Sequence, residues 1–89
     1  MGREDVAEAR ELLEEAVKLA EKDHRSAIRE IAATLLAVER GVETPDPAVL
    51  GNRIDVLREV ADDAESPVED LVAEAIEGLE AYRAALDAG

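Results

Sequence analysis

Gly41-Val42-Glu43-Thr44-Pro45-Asp46-Pro47 lies almost at the midpoint of an 89-residue chain and holds two of its three prolines. Proline lacks an amide donor and biases the residue before it away from the α region, while glycine takes the left-handed conformation that ends helices. Apolar residues on both sides recur every three or four positions, so the stretch reads as a corner between two helical halves. The expected fold is all-α, an antiparallel up-down four-helix bundle with helices over about 4–22, 26–40, 47–64 and 67–87.

Working outward, Asp46 reads as the N-cap of the third helix and Pro47 as its first residue. Leu50, Ile54, Leu57, Ala61 and Ala64 form its inner stripe, broadened by Val49, Val56 and Val60. Gly51 weakens this helix by about 1 kcal/mol relative to alanine, and a close helix crossing is one reason to tolerate it. Ser66-Pro67-Val68-Glu69 carries the pattern of a capping box, with Ser66 as cap and Glu69 three residues on. Val68, Val72, Ala75, Leu79, Tyr82 and Leu86 then line the fourth helix, supported by Leu71 and Ile76.

Before the corner, Val6, Ala9, Leu13, Ala16 and Ala20 form the stripe of the first helix, with Leu12 and Leu19 widening it. Glu14 and Lys18 are spaced for an i,i+4 pair. Ile28, Ile31, Leu35, Val38 and Val42 continue in a register displaced by one position, which places a break near Asp23–Ser26 with Asp23 or Ser26 as N-cap. Neither glycine nor proline occurs there, so a single long, kinked helix over about 4–40 is the alternative, giving three helices instead of four. Val17, Leu36, Val49, Val56 and Ile76 are candidates for an outward apolar remainder, which on a small domain points to self-association. A compact single domain over 1–89 should have a radius of gyration near ~12 Å.

Charge separates the two halves. Residues 1–40 hold ten acids and seven bases, net -3, whereas residues 41–89 hold thirteen acids and three bases, net -10. A formal charge of -13 destabilises a compact state by self-repulsion, a penalty that molar salt screens. The acidic surface therefore reads first as a solvated face that binds salt cations weakly. A partner for the acidic half would be basic or held through cations. The same charge excludes direct nucleic-acid binding, which needs a basic surface.

No catalytic, cofactor-binding or metal site is expected. Cysteine is absent, and Ser26, Ser66, Thr34 and Thr44 have no recognisable base beside them. Glu21 and His24 have the Glu-x-x-His spacing of di-iron bundles, but such sites need two of these motifs and two more carboxylates, and His24 is the only histidine. His24 is read as facing solvent at a helix junction. Asp62, Asp63, Glu65, Glu69 and Asp70 crowd one connection but lack the spacing and glycine of a calcium loop. Tyr82 is placed at the edge of the core with its hydroxyl wet, and Arg83 is spaced to pair with Glu80 or Asp87.

No segment is long and apolar enough for a transmembrane helix, and Met1–Val6 lacks an apolar signal region, so a soluble, unprocessed, cytoplasmic chain is expected. Leu57-Arg58-Glu59, Ala75-Ile76 and Ala81-Tyr82-Arg83 resemble the C-terminal part of small acidic haloarchaeal helical proteins of unknown function. That resemblance implies a helical protein adapted to salt and carries no functional residues with it. The functional expectation is a non-enzymatic protein acting by protein contact, as a homodimer or an adaptor. The alternative is an acidic mimic of nucleic acid that occupies a basic groove on another protein.

Overall fold

Four helices carry the apolar stripes: α1 (Gly2–Leu19), α2 (Lys22–Glu39), α3 (Pro47–Asp63) and α4 (Val68–Ala88). They belong to a computed structural model that describes residues 2–44 and 46–88, and no strand occurs among these. Each stripe turns inward. Val6, Ala9, Leu13, Ala16 and Ala20 of the first segment meet Ile28, Ile31, Leu35 and Val38 of α2 in one core with Leu50, Ile54 and Leu57 of α3 and Val72, Ala75, Leu79 and Tyr82 of α4. The Cα radius of gyration is 12.0 Å, the value expected for a compact chain of this length.

The corner is built from backbone chemistry. Gly41 has φ 75°, and its N–H donates to the Val38 carbonyl at 3.1 Å while the Val42 N–H donates to Ala37 at 2.9 Å. This is a Schellman closure, and the left-handed conformation at its centre explains the glycine. On the far side the Asp46 carboxylate accepts from the Ala48 N–H at 2.9 Å, with Pro47 in the first turn of α3. Pro45, the other expected helix stop, lies outside the described residues.

The break between α1 and α2 falls at Ala20–Glu21, earlier than the expected Asp23–Ser26, and it rules out a continuous first helix. Asp23 and Ser26 are exposed residues inside α2, so neither is its N-cap. Glu21 takes that position with an extended backbone and no side-chain cap. Its carbonyl instead accepts from the His24 and Arg25 amides, and the Arg25 guanidinium donates back to the Ala20 carbonyl at 3.0 Å. The Glu21 carbonyl thus closes the first turn of α2 without a side-chain acceptor, and the Arg25 guanidinium caps a carbonyl at the end of α1.

The capping box at Ser66 does not form. The Pro67 carbonyl accepts from Leu71 and α4 starts at Val68, so Ser66 stands one residue too early, and its hydroxyl donates to the Asp70 carboxylate at 3.2 Å. Glu14 also pairs differently: it accepts from Arg10 at 2.8 Å, and Lys18 lies 3.7 Å from Glu15. Of the apolar positions, Ile76 is buried, whereas Leu19 and Val42 face outward.

Sequence neighbours run antiparallel, and α1 packs against both α2 and α4 while α3 packs against α4. The fourth side is different, because α2 scarcely touches α3. These two helices are joined by the longest connection, residues 40–46, against two residues between α1 and α2. On the closed side Gly78 lets α4 approach α1: a Cβ there would lie 3.5 Å from the Asp5 carbonyl oxygen and 3.9 Å from the Ala9 Cβ. At Gly51 the nearest group from another helix is a side chain of α4 and not its backbone. The Arg83 guanidinium lies across it, 3.1–3.3 Å from where a Cβ would stand.

Candidate functional site

The open side of the bundle contains the largest concentration of unusual chemistry. Beneath the Gly41–Pro47 corner, between α2 and α3, lies a cavity of about 380 Å³. Leu35 and Val38 from α2, Val49 and Leu50 from α3, Val6 from α1 and Tyr82 from α4 supply its apolar wall. Glu43, Thr44 and Asp46 of the corner, Arg53 of α3 and Thr34 of α2, whose hydroxyl donates to the Glu30 carbonyl, supply polar groups. Residues 50, 53, 54 and 57 share the inward half of α3, so the spacing that packs Leu50, Ile54 and Leu57 also carries Arg53 to the edge of the core.

Arg53 is the outlier here. Its Nε is fully buried without a hydrogen-bond partner, and Arg53 belongs to none of the ion pairs among the described residues. A buried donor left unpaired costs about 1–3 kcal/mol, more when charged. The neighbouring carboxylates do not relieve it: Glu43 and Asp46 are exposed, and one Asp46 oxygen is engaged in capping α3. No motif in the sequence flags Arg53. Its signal is a basic residue three positions from Leu50 and one from Ile54, at the margin of an apolar stripe.

The other end of the open side is closed by a polar contact. His24 Nε2 lies 3.1 Å from Asp63 Oδ2, and the imidazole is only 16% exposed. His24 is thus a half-buried tether between α2 and α3 within the first turn of α2, and not the solvent-facing junction residue expected. Glu21 and His24 border the same hollow of about 210 Å³, together with Asp63. Among the described residues, however, no group of three or more His, Asp or Glu side chains could hold a metal ion. Asp62, Asp63, Glu65, Glu69 and Asp70 are all exposed, and Ser66 engages Asp70.

Three further arginines, Arg10, Arg58 and Arg83, reach from one helix to another. Arg10 bonds to Glu39 at the far end of α2 and to Glu14 on its own helix. The bond to Glu39 holds the Arg10 guanidinium above its usual range, with burial opposing. Arg58 bonds to Glu80 and bridges α3 to α4, so Glu80 is not the partner of Arg83. Arg83 lies on Gly51 instead. Tyr82 is 6% exposed and contributes to the cavity wall, further inside than the core edge expected for it.

A second, shallower concavity of about 350 Å³ lies on the outer side of the α1–α2 pair. Val17 and Leu36, two of the five apolar positions expected to remain outside, meet there with Ala32 and Ala33, and Glu14, Lys18 and Arg29 form the rim. Val49 borders the cavity under the corner, Val56 borders the groove beside His24, and Ile76 is in the core.

Residues 1–85 match a family of unknown function, DUF7553, and the match extends well beyond the segment 57–83 that carried the resemblance. No curated protein and no solved structure matches the chain. Among the described residues, no helix is long and apolar enough to cross a membrane.

Proposed function

We propose that this chain, which belongs to the DUF7553 family of unknown function, is a non-enzymatic protein of a salt-rich cytoplasm that acts by protein contact, as a homodimer joined through its α1–α2 face. The observation that supports this reading is the trough of Val17, Ala32, Ala33 and Leu36. It is apolar where an interface core must be, and its rim of Glu14, Lys18 and Arg29 carries both charge signs. A rim of mixed sign allows a two-fold contact to bring opposite charges of the two copies together. The face also belongs to the half with net charge -3, where two copies repel least.

Light scattering at low and molar KCl tests the reading. The wild type should be a dimer that persists or tightens in molar KCl, and Leu36→Glu should leave a folded monomer. A clean wild-type monomer at every salt concentration refutes it. The salt-rich setting has its own readout, because screening a net charge of -13 should raise the melting temperature steeply between low and molar KCl.

One observation favours a second reading. The exposed carboxylates of α3, α4 and the connection between them, among them Asp62, Glu65, Glu69, Glu74 and Glu77, belong to the acidic half and suit a mimic of a nucleic-acid backbone. That function requires binding to a basic nucleic-acid-binding protein, with an affinity that falls steeply as KCl rises. An apolar dimer responds to salt in the opposite direction.

A further inference from the structure

We propose that the cavity under the Gly41–Asp46 corner binds a small zwitterion with an apolar side chain, a free apolar α-amino acid. The inference is independent of self-association, since this cavity and the Val17–Leu36 trough have no residue in common. At about 380 Å³ the cavity falls at the small end of pockets that hold small molecules, typically about 300–1,000 Å³. Its wall contains Val6, Leu35, Val38 and Leu50, which accept an aliphatic or aromatic side chain and nothing charged.

The polar groups select the rest of the ligand. Arg53 lines the cavity and belongs to none of the ion pairs among the described residues, and since its Nε is closed off even to water, the terminal nitrogens of the guanidinium are the edge left to pair with a carboxylate through two parallel hydrogen bonds. Glu43 and Asp46 at the exposed mouth present acceptors for an ammonium, since only one Asp46 oxygen is shown capping α3. A plain carboxylic acid would satisfy Arg53 but add a third negative charge beside those two. A plain amine would satisfy the mouth but leave the Arg53 guanidinium without a counter-ion. An α-amino acid supplies both charges on adjacent atoms and adds no net charge, so it alone answers all three charged groups.

Calorimetric titration of the full chain in molar KCl with L-leucine and L-phenylalanine tests this directly. At least one of them should bind, and 4-methylpentanoate and 3-methylbutylamine, which lack the ammonium and the carboxylate respectively, should each bind about tenfold or more weakly. Arg53→Gln should lose binding by a similar factor while retaining the helical circular-dichroism spectrum. A reading on the wild type does not depend on how that variant folds: the Arg53 Nε–H resonance should shift on adding the amino acid. Absence of binding by both amino acids overturns the proposal. Equal binding of either analogue, or an unmoved Arg53 resonance on saturation, overturns it as well.

Discussion

The α1–α4 and α2–α3 sides of this bundle are made from similar amphipathic helices, yet one is closed and the other is open. On the closed side Gly78 faces the Asp5 carbonyl and Ala9, so two backbones approach with little between them. On the open side Arg53, His24, Glu59 and Asp63 stand where apolar side chains would be needed to draw α2 and α3 together. Desolvating these groups opposes close packing, so α2 and α3 make few direct contacts, and the His24–Asp63 pair is a polar tether between them. A bundle of small residues packs tightly where it is uniformly apolar and parts where a few polar side chains interrupt the stripe.

Substitutions can sharpen or break this contrast. The largest effect is expected from Leu13→Ala, which removes a fully buried side chain and should cost about 2–5 kcal/mol in urea unfolding. Val49→Ala on the open side, at a position 44% exposed, should stay within about 0.5 kcal/mol. Comparable losses at the two positions would remove the distinction. Gly78→Leu should cost about 1–3 kcal/mol, because a long side chain cannot fit between α4 and the α1 backbone. Its melting temperature should fall accordingly, and an unchanged value would mean that α1 and α4 do not approach closely.

Smaller effects are expected at the ends and edges of α3. Asp46→Ala removes the cap on Ala48 and should cost about 1 kcal/mol in chemical unfolding. Gly51→Ala should act in the opposite sense, stabilising by up to about 1 kcal/mol through helix propensity, since the group in its way is the mobile end of the exposed Arg83 side chain. Destabilisation by Gly51→Ala would show that the Arg83 guanidinium is held firmly against α3.

The architecture was legible in the sequence because its determinants are local. Gly41, Asp46 and Pro47 act through their own backbone chemistry, and the inward stripes follow from helical periodicity. The break at Ala20–Glu21 was misplaced because tertiary packing and the Arg25–Ala20 bond end α1 where no standard cap residue stands. Ser66 matched a capping pattern, but that pattern depends on a helix start that shifted by one residue. The cavity was invisible for a different reason. Arg53 is unusual only through what is missing around it, and an unpaired donor beside such a cavity is a property of four helices and the corner assembled, not of any spacing along the chain.

The contrast between the two sides is tested most directly by methyl–methyl nuclear Overhauser contacts in protein labelled at Ile, Leu and Val, measured in molar KCl. An open α2–α3 side predicts dense contacts between α3 and α4 and between α1 and both α2 and α4, with few between α2 and α3. An α2–α3 network as dense as that between α1 and α4 would contradict it and would close the cavity around Arg53.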